Sequence, residues 1–260
     1  MKRIFKLLLF SSYFLLSAQA DISPMQPAFV LEIINKLARG ENVIFVKYGD
    51  GEYNCMVGRQ DCNADGDSYH SWLGNSLQRA LISLAHKPNT YIGKWWNANV
   101  YEAFDEFARQ NSVTIPWAWY HMVINDDESL KIDYMHKFVD FIIHAKRKKI
   151  LICNSTNARI KDFLRADVYI EIPPRNWSFE YNAWKKIIES HIEQDAIVLI
   201  SAGMCAKVLV DDLTNAYNIT CVDLGCSFDI LGGKKNTRGW AHSYQDELVY
   251  YQDLLPQNWD

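Results

Sequence analysis

The chain has 260 residues, 49% of them hydrophobic, with a formal net charge of −4 and a pI near 6.0. Apolar content on that scale marks a globular protein with the core of one large α/β domain or two small ones. The mild acidity argues against extended nucleic-acid binding and leaves a local basic pocket for a small charged ligand.

The first twenty residues, "MKRIFKLLLFSSYFLLSAQA", carry Lys2, Arg3 and Lys6, then an apolar run from Leu7 to Leu16, then Ala18-Gln19-Ala20. The run is shorter than the roughly 20 residues that span a bilayer, and the small residues suit a cut after Ala20. Residues 1–20 therefore read as a signal peptide, which sends the chain to a secretory lumen or out of the cell. An uncleaved signal anchor, with membrane association through the same segment, is the alternative. Residues 21–260 form the domain.

Within it, apolar periodicity alternates between helix and strand. A helix over 27–38 stops at Gly40, and a strand over 43–48 follows. A polar, glycine-bearing loop leads to a helix over 73–86. "TYIGKW" reads as a strand, 101–109 as a helix and "SVTIPWAW" as a strand. An amphipathic helix over 128–146 ends in basic residues that suit a helix C-terminus. "KILICN" is a strand before a helix over 155–164, and "DVYIEIPP" is a strand stopped by its prolines. A helix over 177–191, the strand "AIVLISAG", a helix over 204–215 and the strand "ITCVDLG" complete the series. Strands alternating with helices imply parallel βαβ crossovers, so the expected fold is a single Rossmann-like α/β domain, a mostly parallel sheet with helices on both faces.

Ligands of such sheets bind beyond the carboxyl ends of the strands. The strand over 43–48 delivers Asp50-Gly51-Glu52 to that edge. In an extended segment residues two apart point the same way, so the two carboxylates converge while Gly51 allows close approach. Paired oxygen ligands suit Mg²⁺ or Mn²⁺, which share coordination with phosphate. A plain Asp-Gly turn is the alternative. A second signal is Ser201-Ala202-Gly203, followed by a helix and, twenty residues after Gly203, by Asp223. Helix amides can cradle a phosphate there and a strand-end acid can hold a ribose hydroxyl, although only one glycine of a dinucleotide fingerprint is present. A tight connection alone reads equally well. A third is Asn154, Ser155 and Thr156 at the end of "KILICN", as ligand contacts, with capping of the next helix by Ser155 or Thr156 as the alternative.

Other chemistry is thin. Six cysteines show no CxxC pair, and Cys55 with Cys62 or Cys221 with Cys226 could close local loops in an exported chain. There is no G-x-S-x-G elbow, and His70, His121 and His242 are scattered. Clustered aromatics in "KWWNANVY" and "IPWAWYHM" serve a core or a platform for sugar rings.

In their order along the chain, "KYGDGEYNCM", "IPPRNWSFEYNAW", "ISAGMCAKVLVDDL" and "CVDLG" resemble the GT-D type of glycosyltransferase, a family first described as a domain of unknown function. The resemblance covers roughly residues 28–238, and its most specific part is the aromatic-Gly-Asp-Gly-Glu core at Tyr48, Gly49, Asp50, Gly51 and Glu52. It implies that Asp50 and Glu52 are an Asp-x-Glu metal motif for Mn²⁺ or Mg²⁺ and that the segment around Gly203 lies near a nucleotide. Lys47 stands where family members often carry Arg, which keeps the charge and loses a bidentate fork. The implied reaction moves a sugar from a nucleotide-diphosphate donor to a hydroxyl of a glycan or glycoconjugate. Lys47 or Arg238 would add positive charge near the departing diphosphate. Glu52 is either ligand or acceptor base, and Asp223 is a further candidate for base or ribose contact. The competing readings are an exported metal-dependent phosphohydrolase and a non-catalytic carbohydrate-binding protein.

Overall fold

A strand that reads as a near-continuous apolar run is buried on both faces of its sheet. In the strand Ile44–Tyr48 (β1), Ile44, Val46 and Tyr48 enter one apolar cluster and Phe45 enters a second. Lys149–Asn154 (β4) and Ile197–Ser201 (β6) divide in the same alternating way, with Ile152 and Ile200 in the first cluster and Leu151 and Leu199 in the second. The computed structural model describes residues 29–94, 98–120, 133–154 and 159–225. The leader, Ser155, Thr156, Cys226, Arg238 and the end of the chain lie outside the described residues.

Thr90–Lys94 (β2), Trp117–Ala118 (β3), Val168–Ile172 (β5) and Thr220–Asp223 (β7) join the other three strands in a seven-stranded sheet of order β3-β2-β1-β7-β6-β4-β5. Every pairing is parallel. The helices are Phe29–Ala38 (α1), Asp50–Met56 (α2), Ser71–Ala85 (α3), Ala98–Gln110 (α4), Asp133–His144 (α5), Arg159–Phe163 (α6), Tyr181–Glu189 (α7) and Ala206–Ala216 (α8). Crossovers that step towards β3 carry α2, α3, α4, α7 and α8 on the face of the first cluster. Those that step towards β5 carry α5 and α6 on the face of the second, which α1 joins. One crossover hand produces that division. Because β4 leads outward to β5 while β6 leads back to β7, the carboxyl edge between β4 and β6 is the topological switch point at which such sheets bind ligands.

The expected α/β architecture is what forms, and several boundaries move. The strand expected over 112–119 shrinks to Trp117–Ala118. Pro116 has no N–H for the ladder and contributes its carbonyl to Ile92 N–H at 3.0 Å, while Ser112 takes a left-handed φ of 51°. The helix expected over 177–191 opens as a 3-10 turn, Trp177–Glu180, behind Asn176, whose φ is 57°. Helix α2 was not expected at all. Among the described residues no helix is long and apolar enough to cross a membrane.

Candidate functional site at the carboxyl edge

The chain leaves β1 through Gly49, extended at φ −121°, and enters α2 at once with Asp50 as its first residue. Glu52, third in the helix, folds back so that its Oε2 accepts the Gly49 N–H at 2.9 Å, satisfying a backbone donor that the helix start leaves open. This overturns the extended geometry expected for Asp50-Gly51-Glu52. Residues two apart on a helix lie about 200° apart around its axis, so the carboxylates diverge. Glu52 is buried, whereas Asp50 is exposed and takes part in no hydrogen bond or ion pair with another described residue. A Cβ on Gly49 would stand 3.0 Å from the Tyr120 hydroxyl, close enough that the tyrosine would have to shift.

Behind the end of β1 lies a buried set of charges. Lys207 of α8 reaches Glu52 Oε1 at 2.8 Å and Asp223 Oδ2 at 2.9 Å, and donates to the Gly203 carbonyl at 3.2 Å. Burial pushes the Lys207 ammonium down, but Asp223 and Glu52 outweigh it and hold the group above its ordinary value. Asp223 Oδ1 accepts the Gly225 N–H at 2.9 Å, and its Oδ2 also accepts the Lys47 N–H at 3.4 Å. The Lys47 ammonium donates to the Leu224 carbonyl at 3.2 Å and lies 5.2 Å from the centre of the Tyr120 ring. Gly225, at φ 53°, fits against it where a Cβ would meet Nζ at 2.3 Å.

A second layer comes from the loop between α2 and α3. Asp67 is buried beside Gly203, where a Cβ would stand 2.5 Å from Asp67 Oδ2. Its carboxyl accepts the Asn176 N–H at 2.7 Å and the Asn63 amide at 3.2 Å. Burial raises its pKa against those two bonds. Three residues on, His70 stacks between Phe179, with ring centres 4.4 Å apart, and Trp72, at 5.9 Å. Trp177 Nε1 donates to the Ala202 carbonyl at 2.9 Å. The loop is thereby tied both to the end of β6 and to the turn after β5.

No protein-family model matches the chain, and no curated protein matches it. Two solved structures do. One is the selenomethionine-substituted structure of domain of unknown function 1792, with a TM-score of 0.56 and 18% identity over 80% of this chain and 83% of that one. The other, described as the highly conserved domain of unknown function 1792 with a distinct glycosyltransferase fold, gives a TM-score of 0.55 and 17% identity over the same shares. The chain has that fold.

On this glycosyltransferase fold the expected residues fall into three groups. Lys47, Gly49, Asp50, Glu52, Gly203 and Asp223 share the carboxyl edge of β1, β7 and β6. Gly51 packs under it, since a Cβ there would meet Asn63 Cβ at 3.3 Å. Ala202 and Asn154 stand at the carboxyl ends of β6 and β4, on either side of the switch point, Asn154 three strand positions from β1, or roughly 14 Å at the usual strand spacing. Tyr48 does not belong. Its ring is fully buried beside Phe104 and its hydroxyl donates to the Leu77 carbonyl at 3.0 Å, because strand alternation sends it to the face opposite Lys47. Asp223 is 1% exposed and already bonded to Lys207 and the Gly225 N–H, so burial argues against the ribose contact expected of it. Cys55 and Cys62 are both free thiols, without the loop-closing disulfide considered for them. Lys207 and Asp67 also belong to this edge. Lys207 sits in the apolar run "AKVLV", where a lone cation on a buried helix face is itself a signal; Asp67 lies in a polar loop and gives none.

The Asp50–Glu52 pair as it stands does not fit a divalent cation, because the carboxylates diverge and both Glu52 oxygens are already engaged. Among the described residues no group of three or more His, Cys, Asp or Glu side chains is arranged to hold a metal ion.

Proposed function

We propose that the chain is a glycosyltransferase that moves a sugar from a nucleotide-diphosphate donor to a hydroxyl of a glycan or glycoconjugate. The observation that carries this reading is the gathering of Lys47, Asp50, Glu52, Lys207 and Asp223 at the carboxyl edge of a sheet with the glycosyltransferase fold. Asn154, Ala202 and Gly203 would border the donor nucleotide, at the switch point where the strand connections diverge. In the transfer, the bond from the anomeric carbon to the diphosphate oxygen breaks as the acceptor oxygen bonds to that carbon, and the acceptor proton must go to a base. Of the three acids, Asp50 is exposed and bonded to no other side chain among the described residues, so it would take the proton, whereas Glu52 and Asp223 are buried and bonded to Lys207 and to backbone amides. Lys47 is buried at the same edge with its ammonium on the Leu224 carbonyl, and would have to turn from that carbonyl to meet the departing diphosphate. If residues 1–20 act as a signal peptide or anchor, the reaction belongs in a secretory lumen or at a membrane face.

Incubation of the purified chain with UDP-, GDP- and dTDP-linked sugars and a mixed glycan acceptor tests this. The expected result is release of a nucleoside diphosphate together with a hexose-sized gain in acceptor mass. Failure of every nucleotide sugar to bind or react, alongside hydrolysis of a simple phosphate ester, would replace the transferase with a phosphohydrolase.

A further inference from the structure

The positive charge that this edge was expected to borrow from a divalent cation is already present as a side chain. Lys207 has three N–H bonds and meets three acceptors: Glu52 Oε1 at 2.8 Å, Asp223 Oδ2 at 2.9 Å and the Gly203 carbonyl at 3.2 Å. The remaining carboxylate oxygens are also engaged, Glu52 Oε2 by the Gly49 N–H and Asp223 Oδ1 by the Gly225 N–H, each at 2.9 Å. Lys47, Glu52, Lys207 and Asp223 are all buried, two positive and two negative side chains together, and a third buried acid, Asp67, lies beside Gly203. A Mg²⁺ or Mn²⁺ ion needs oxygens at about 2.0–2.2 Å. To obtain them from this pair it would have to expel an ammonium that already lies within 3 Å of both acids, and would leave Lys207 and Lys47 facing a like charge in a low-dielectric interior.

We propose that Lys207 is the resident cation of this site: it occupies the position between Glu52 and Asp223, the pair takes up no divalent ion, and nucleoside diphosphate binding by this chain is independent of one. The nature of the ligand rests on the function proposed above, while the statement about the cation does not.

Two titrations of the intact chain test it. In the first, free Mn²⁺ is followed by electron paramagnetic resonance as protein is added, for the wild-type chain, Glu52→Gln and Asp223→Asn. Any uptake is expected to be the same in all three; an uptake that either substitution weakens by about threefold or more overturns the proposal. In the second, UDP binding is measured by calorimetry in EDTA and in MnCl₂. Affinities agreeing to within about threefold support the proposal, and a larger loss in EDTA overturns it. If UDP binds in neither buffer, GDP and dTDP are titrated in its place; if none of the three binds, the transferase reading falls and the Mn²⁺ titration still decides the cation. Lys207→Met adds a gain of signal, since it uncovers the pair and should create Mn²⁺ uptake that Glu52→Gln removes; if that variant does not fold, the wild-type comparison stands alone.

Discussion

Gly74 of α3 passes so close to Cys55 of α2 that a Cβ on it would stand 2.4 Å from the Cys55 carbonyl oxygen. The obstacle is backbone and cannot rotate away, so the two helices would have to part. Since α2 also carries Glu52, the contact sets the depth at which that acid sits against Lys207. Gly74→Ala improves intrinsic helix propensity by about 1 kcal/mol, yet it should lower stability by about 1–3 kcal/mol through overpacking. Urea unfolding followed by circular dichroism reads the sign directly.

Removing the Lys207 ammonium would leave Glu52 and Asp223 buried without their shared counter-charge. Breaking a buried pair from one side costs about 3–5 kcal/mol, so Lys207→Met should be among the most destabilising substitutions in the chain. The Lys207→Met, Glu52→Gln double variant should recover part of the loss, because one of the stranded charges is gone. The raised pKa of Lys207 fixes the sign with pH: its contribution is complete below the ordinary lysine range and fades only as strongly alkaline solution deprotonates it. Denaturation midpoints between pH 7 and pH 10 should therefore show no loss traceable to this residue.

What the chain's pattern discloses and what it hides have separable causes. Buried parallel strands are continuous apolar runs with little else to resemble, so β1, β4 and β6 could be found from residue type alone. Strand order depends on which connection steps which way, and nothing in "ITCVDLG" says that β7 lies beside β1 and thus carries Asp223 to Glu52. Helix α2 was concealed by its own residues: Asp50-Gly51 after a strand is turn chemistry, and the helix is held instead by the Glu52 side chain returning to Gly49. The consequence reaches the site, because an extended Asp50 and Glu52 would converge and the helical pair does not. Lys207 was hidden by the rule that helical lysines face solvent, which fails where two buried acids wait for it.

Tyr48 supplies a control for the site's boundary. Its hydroxyl holds the Leu77 carbonyl on the face away from Lys47. Tyr48→Phe should cost about 1 kcal/mol, the net worth of one hydrogen bond, and should leave UDP affinity unchanged by calorimetry. A loss of affinity with unaltered stability would return Tyr48 to the site.

The His70 stack gives the protein a pH dependence of opposite sense from that of Lys207. Burial lowers the His70 pKa below its ordinary 6.5, so the unfolded chain binds the proton more readily. Stability from this residue is present above about pH 6.5 and falls as acid protonates the ring between Phe179 and Trp72. His70→Phe keeps an aromatic ring there that cannot titrate. Melting temperatures recorded from pH 7.5 to pH 5 should fall more steeply for the wild-type chain than for the variant.

Asp50 is the position at which chemistry and stability separate most cleanly. It is exposed, takes part in no ion pair or hydrogen bond with another described residue, and begins a helix whose start is capped by Glu52. Asp50→Asn keeps its shape and removes its basicity. Surface changes of that kind move stability by about 0.5 kcal/mol or less, whereas loss of a general base costs about 10²–10⁴ in rate. The variant should therefore melt with the wild-type chain, bind the donor nucleotide with similar affinity, and fail in sugar transfer. Glu52→Gln should do the reverse at first, weakening the fold through Lys207 before it touches the rate. If transfer survives Asp50→Asn and is lost in Glu52→Gln at matched stability, the base is Glu52, and its bond to Lys207 must open during turnover.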